Sequence, residues 1–219
     1  MTYLFEKIEL LSPEALIRTS EVDHADWNYR PFLKLIQRVR FKVIASLLSQ
    51  KHYGKILEVG YGSGVFMPHL KRHCDELYGV DPHNKNKEVE QILSKYNITA
   101  KLYSGSITRT IFENNYFDSI VIVSALEYVD DIEAACEEMS RILKPDGELI
   151  VVTPGSSPIV DVGLKILTGE SARENYDERR KNLEPILLKN YSVGKKIKFP
   201  PIIHQFVKLY TAYKLINNK

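Results

Sequence analysis

Several residues and patterns that would classify the chain at once are scarce. It has two cysteines, Cys74 and Cys136. They match no metal-ligand spacing, so a pair of reduced thiols is expected and neither a disulfide framework nor a metal site is. No apolar run approaches the ~20 residues that cross a bilayer as a helix. Charges at Glu6, Lys7 and Glu9 interrupt the first residues, so a secretory signal core is not expected and a cytoplasmic location is. Repeats and low-complexity segments are absent. A net charge of only +2 argues against a dedicated nucleic-acid binder. There is one tryptophan, Trp27.

What remains is a globular composition, 44% hydrophobic and 26% charged over 219 residues. That length suits one domain, or one domain with a cap. Charge is uneven. From Lys189 to Lys219 there are seven lysines and no acid, whereas residues 113–148 hold ten acids against Arg141 and Lys144. Either these are solvated faces, or the basic C-terminal third faces an anionic substrate or membrane surface.

Apolar residues Phe32, Leu35, Ile36, Val39, Val43 and Leu47 recur at helical spacing behind Pro31, which predicts a helix over 31–50. Strands are predicted near 55–59, 76–80, 99–103, 117–123 and 147–153, with helices near 65–73, 84–96 and 131–143. Asp130 or Asp131 is placed to cap the last of these helices. Such alternation implies a mainly parallel sheet with helices on both faces. Further helices are predicted at 158–168 and 176–190, the second bent or divided at Pro185. Two final strands are predicted at 193–199 and 205–216.

Residues 56–64 read Ile-Leu-Glu-Val-Gly-Tyr-Gly-Ser-Gly. A strand runs into a glycine turn, where a ligand can approach the backbone. The dinucleotide fingerprint needs its third glycine at position 65, where Val65 stands. Glu58 would repel a pyrophosphate but suits a free amino group. Asp81, at the end of the second strand, suits a ribose diol because a carboxylate accepts from two hydroxyls. An NAD-dependent oxidoreductase is therefore disfavoured.

From these residues the chain resembles the class I S-adenosylmethionine (SAM) methyltransferases, in the type-11-like small-molecule group. The resemblance runs in register over 55–153. Leu77-Tyr78-Gly79-Val80-Asp81 resembles the family's second strand and ribose acid. Ser104-Gly105-Ser106-Ile107 stands at the Gly-Asp position, with Ser106 replacing the acid. Phe117 to Val123 resembles the fourth strand. Ser124-Ala125-Leu126-Glu127-Tyr128-Val129 stands at the "LEHV" turn, with Tyr128 for histidine. Arg141 to Leu149 resembles the "LKPGG" turn into strand five.

The resemblance implies a Rossmann-like, mainly parallel seven-stranded sheet with the last strand antiparallel. It implies SAM as cofactor, held by Glu58, Gly60, Tyr61, Gly62, Gly64, Asp81, Pro82, Ser106, Ile107 and Ser124. A methyl acceptor that is a small molecule, a glycan or a lipid precursor follows from it. A non-catalytic SAM-binding partner or regulator is the alternative. Candidate proton acceptors are Glu127, Tyr128 and His24, with His83 and His204 behind them; His69 is expected to point elsewhere. Trp27, Tyr29 and Arg30 are candidate substrate contacts. One methyltransferase domain is expected: an arm and helix over 1–50, a cofactor core over 51–153, and a substrate-side segment with the final strand pair over 154–219. A monomer or homodimer is expected.

Overall fold

The computed structural model describes residues 7–48, 51–155, 175–201 and 207–219, with 175–181 described as backbone. One sheet holds seven strands: β1 (Tyr53–Val59), β2 (Cys74–Asp81), β3 (Lys101–Ser104), β4 (Phe117–Val123), β5 (Leu143–Pro154), β6 (Tyr191–Phe199) and β7 (Tyr210–Asn217). Their spatial order is β3-β2-β1-β4-β5-β7-β6. Only β7 runs against its neighbours, antiparallel to both β5 and β6; the other pairs are parallel. The reversed strand, last in the chain, therefore lies inside the sheet and β6 forms the edge.

The central strands β1, β2, β4 and β5 carry continuous buried runs because both faces are covered. Ile56, Leu77, Val121, Ile150 and Val152 point to one layer. It contains α1 (Leu33–Leu48), α2 (Met67–Lys71) and α3 (Asn86–Lys95). Leu57, Val80, Ile120, Ile122 and Val151 point to the other, with α4 (Ile132–Ile142) and α5 (Asn175–Asn190). Asp131 caps α4, its Oδ1 accepting from the Ala134 N–H at 2.9 Å. Cys74 and Cys136 are free and buried. Burial pushes their thiols up, to about 11 and about 12.

Three expectations need correction. The helix after the glycine turn shrinks to the five residues of α2, because residues 61–66 are used in turns. α5 runs through Pro185 as one helix; proline removes one backbone donor there without ending the element. β5 starts at Leu143, four residues early. Phe117 pairs with Leu143 and Ser119 with Glu148, so the Pro145-Asp146-Gly147 turn survives as a bulge inside the strand. The predicted helix 158–168, the start of the predicted strand 205–216, and His204 lie outside the described residues.

Strand order reverses between β1 and β4. In an open parallel sheet this creates a crevice beyond the carboxyl ends of the strands. A polar anchor holds one wall of it. Glu138 on α4 accepts from the backbone N–H and hydroxyl of Thr110, at 2.7 and 2.6 Å. It also takes two bonds from Arg141 at 2.7 Å. Arg141 in turn donates to the Phe112 carbonyl at 2.8 Å. The segment carrying Ser106 and Ile107 is thereby fixed to α4. The Arg141 guanidinium, helped by Thr110, outweighs burial and holds the Glu138 carboxyl down at about 2.

This anchor sets a pH signature. Glu138→Gln should lower stability at neutral pH by about 1–2 kcal/mol, a charged hydrogen-bond network discounted for its wet rim. The folded value lies below the ordinary glutamate value of ~4.3, so the stabilisation is complete above that and fades as pH falls towards about 2. Urea unfolding of both proteins should show the gap closing on acidification. A gap of the same size at low pH would remove the anchor from the account.

Candidate cofactor and acceptor site

β1 delivers Glu58 and Val59 to the crevice, and the chain then turns through Gly60, Gly62 and Gly64, at φ 72°, 52° and 73°. These left-handed conformations disfavour any side chain. Gly60 is constrained twice, because a Cβ there would meet the Ala125 Cβ at 2.4 Å. At Gly62 a Cβ would reach only the Asp23 carboxylate, at 3.4 Å. Backbone conformation, together with the open space beside it, therefore explains that glycine.

Asp81 ends β2 and joins two loops. Its Oδ2 accepts from the Gly62 N–H at 2.9 Å and its Oδ1 from the His83 N–H at 3.2 Å. His83 returns a bond, its ring Nε2–H donating to the Gly62 carbonyl at 3.0 Å. Its Nδ1 accepts from the Lys85 N–H at 3.1 Å. Both ring nitrogens are thus engaged in holding the loops, which removes His83 from the proton acceptors. The Tyr61 ring packs edge-on against His83, with centroids 4.9 Å apart.

These loops border an open cavity of about 1680 Å³. Glu58, Gly60, Tyr61, Gly62, Asp81 and Pro82 line one side. Ser106, Ile107, Ser124, Glu127 and Tyr128 line it also. Ser106 shares its hydroxyl with Thr108, Oγ to Oγ1 2.8 Å. Ser124 is held at φ 53°, and its buried Oγ has no hydrogen-bond partner. Gly64 lies behind the wall, where a Cβ would meet Val89 of α3 at 3.1 Å.

The N-terminal arm forms the facing wall. Asp23 accepts from the Thr19 hydroxyl at 2.8 Å and from the backbone N–H groups of Thr19 and Ala25. His24 stacks on Trp27, ring centroids 4.2 Å apart, and both border the cavity. Tyr29 and Arg30 do not. The Tyr29 hydroxyl donates to the Leu11 carbonyl under the Arg38 guanidinium, and Arg30 pairs with Asp26 at 2.6 Å. Tyr29 acts as a strap. Arg30 and Trp27 border a smaller recess of about 450 Å³.

Two cavity residues, Gln37 and Arg40 of α1, were not anticipated. The available signal is Gln37 itself, a polar residue in the buried stripe Gln37, Phe41, Ile44, Leu48.

A zwitterionic nucleoside ligand fits this frame. Glu58 is buried, and its Oε2 has no hydrogen-bond partner. Burial, aided by the nearby Asp81, pushes the Glu58 carboxyl well above the usual range. It lines a cavity that an ammonium group can enter and meet it, while Asp81 keeps lone pairs for hydroxyls.

Residues 57–151 match the family described as "methyltransferase domain". Over these residues, somewhat under half of its length, the chain carries a methyltransferase domain. Among curated relatives, the "Ubiquinone biosynthesis O-methyltransferase" of Pelagibacter ubique is 28% identical over 99 residues, 45% of this chain and 41% of that one. The "Demethylmenaquinone methyltransferase" of Staphylococcus saprophyticus is 31% identical over 124 residues, 55% of this chain and 53% of that one. The chain thus spans about half or less of the length of these relatives. N-methyltransferase NodS from Bradyrhizobium japonicum, solved with S-adenosyl-L-homocysteine, has the same fold: TM-score 0.65 at 17% identity, over 92% of this chain and 95% of that one. SAM is the cofactor of this domain.

Glu58 gives the cofactor site a directional pH test. Its raised value favours the neutral acid before binding, whereas an ammonium favours the carboxylate. Binding of S-adenosylhomocysteine should therefore tighten as pH rises and release a proton. Calorimetry in buffers of different ionisation enthalpy reads that proton directly. Glu58→Gln should bind more weakly and lose the proton release. If wild type and variant release the same number of protons, Glu58 does not receive the amino group.

Proposed function

We propose that the chain transfers a methyl group from SAM to a small-molecule, glycan or lipid-precursor acceptor, with a phenolic or quinol-type ring the leading class. The observation that carries this reading is one cavity with Glu58 and Asp81 on its wall and ample room left over. At about 1680 Å³ it exceeds the ~300–1,000 Å³ of a typical single-ligand site. The names of the curated relatives, which refer to ubiquinone biosynthesis and demethylmenaquinone, support the acceptor class.

Bound SAM supplies an electrophilic methyl group on a sulfonium. The chain's residues then have three tasks. Glu58 orients the amino group and Asp81 the ribose hydroxyls, which fixes the methyl group in the cavity. The His24–Trp27 stack and Tyr128 position the acceptor and exclude water, so orientation supplies much of the rate. The acceptor's proton passes to His24 or Glu127, the two cavity-wall groups among the candidates that accept one readily. In this reading residues 1–50 are a partial cap, 51–153 the cofactor core and 154–219 the acceptor side of one domain.

No helix among the described residues is long and apolar enough to cross a membrane. Among the described residues no group of three or more metal-ligating side chains is present either.

Asp81→Ala should weaken S-adenosylhomocysteine binding by about 1–3 kcal/mol in calorimetry. Wild type with SAM and a panel of phenols, quinols and glycan precursors should form S-adenosylhomocysteine, and a chelator should leave that turnover intact. Tight cofactor binding with no turnover on any acceptor class would favour the regulator reading. Loss of activity with a chelator, restored by Mg²⁺, would place a metal in the reaction.

A further inference from the structure

Two side chains keep the apolar spacing that predicts α1 yet stay out of its buried stripe. Phe32 is 76% exposed and Leu35 68%. Backbone bonds fix both in place. Phe32 stands at φ 64°, just ahead of the helix, and its carbonyl accepts from the Leu35 N–H at 3.2 Å. The Leu33 N–H donates to the Pro31 carbonyl at 2.8 Å, and the Lys34 N–H to the Arg30 carbonyl at 3.1 Å. A left-handed conformation is costly for a bulky residue, and an aromatic ring held out in water gives folding nothing in return.

The charge around the pair has one sign. No acid stands between Asp26 and Glu58, a stretch with seven lysines and arginines. Asp26 itself is paired with Arg30 at 2.6 Å. Lys34, between Phe32 and Leu35, is exposed and makes no ion pair among the described residues. The patch also meets the cavity. Ile36, next to Leu35, lines it, and so does Val22, itself 41% exposed.

We infer that Phe32 and Leu35, with Lys34 between them, seat the chain on an anionic lipid bilayer, at the rim of the cavity. An interfacial surface needs few anchors. Apolar tips enter the headgroup boundary while the cations beside them meet lipid phosphates. Two projecting side chains are too few for a protein partner, whose stable interface takes about 800 Å² a side. The consequence for the acceptor rests on the methyl-transfer reading above: a lipid-soluble acceptor passes from the bilayer along Val22 and Ile36 into the cavity.

The test sediments the full chain with vesicles of mixed phosphatidylglycerol and phosphatidylcholine, and with vesicles of phosphatidylcholine alone. Wild type should bind the mixed vesicles at least about tenfold more strongly. Phe32→Ser combined with Leu35→Ser should lose at least about tenfold on the mixed vesicles, and Lys34→Gln about fivefold. Far-UV circular dichroism reports that the variants fold, and their S-adenosylhomocysteine affinity should stay within about twofold of wild type. No binding to the mixed vesicles overturns the inference. So does a double variant that binds them like wild type, which moves the contact to the lysine-rich C-terminal segment. A wild-type dimer that the double variant converts to monomer overturns it too, because a second copy then covers the patch. Wild type that binds vesicles but not S-adenosylhomocysteine keeps the lipid surface and removes the methyl-transfer reading, so the two fail separately.

Discussion

The site depends on one carboxylate. Asp81 ties the tip of β2 to the glycine turn after β1, through the N–H groups of Gly62 and His83. His83 closes the circuit by donating to the Gly62 carbonyl. Two loops from adjacent parallel strands are thus fixed to each other before any ligand arrives. Gly62 donates this bond from a left-handed conformation, φ 52°. Each carboxylate oxygen retains acceptor capacity after one backbone bond. Asp81 can therefore hold the loops and receive hydroxyls together, and preorganisation reduces the ordering cost of binding.

Glu58 is the opposite case. It stands one strand over, buried, with an oxygen that the protein leaves without a partner. A buried carboxyl that lacks a partner is held neutral by its surroundings. Two acids facing one cavity are thus tuned differently, one occupied by backbone donors and one waiting for a cation. That difference fits a ligand with a neutral diol at one end and an ammonium at the other. A pyrophosphate fits it poorly, because it brings no cation for the unpartnered Glu58 oxygen.

The legible parts of this fold are those where local sequence and burial act together. β1, β2 and β4 are short apolar runs bounded by polar turns, and they are buried on both faces because helices cover both. The glycine turn and Asp81 sit at strand ends, so their spacing in sequence maps onto their place in the site. β5 shows the limit. Pro145-Asp146-Gly147 reads as a turn and is one, but the Phe117–Leu143 pair extends the ladder across it. Strand pairing is a long-range event that local chemistry does not encode. The same reason hid Arg40. Arg40 reads as an ordinary charge on an amphipathic helix until α1 is laid beside β5 and β7. Tyr29 failed in the other direction: it looked like a binding surface, and its hydroxyl is spent on the Leu11 carbonyl.

The arm around Asp23 joins the loops at Gly62 and His83 to the facing wall of the cavity. Asp23 organises its own turn through Thr19 and Ala25, and its carboxylate lies where a Gly62 side chain would approach to 3.4 Å. The Lys85 ammonium donates to the Arg18 carbonyl at 2.9 Å, so the arm is also tied to the chain just after His83. The same arm carries His24 and Trp27. A ligand that seats against Gly62 and Asp81 therefore touches the loops on which the arm rests, and the arm in turn shapes the space left for the acceptor. In the proposed function the cofactor thus completes the acceptor pocket, because the methyl group and the wall facing it share one frame of loops.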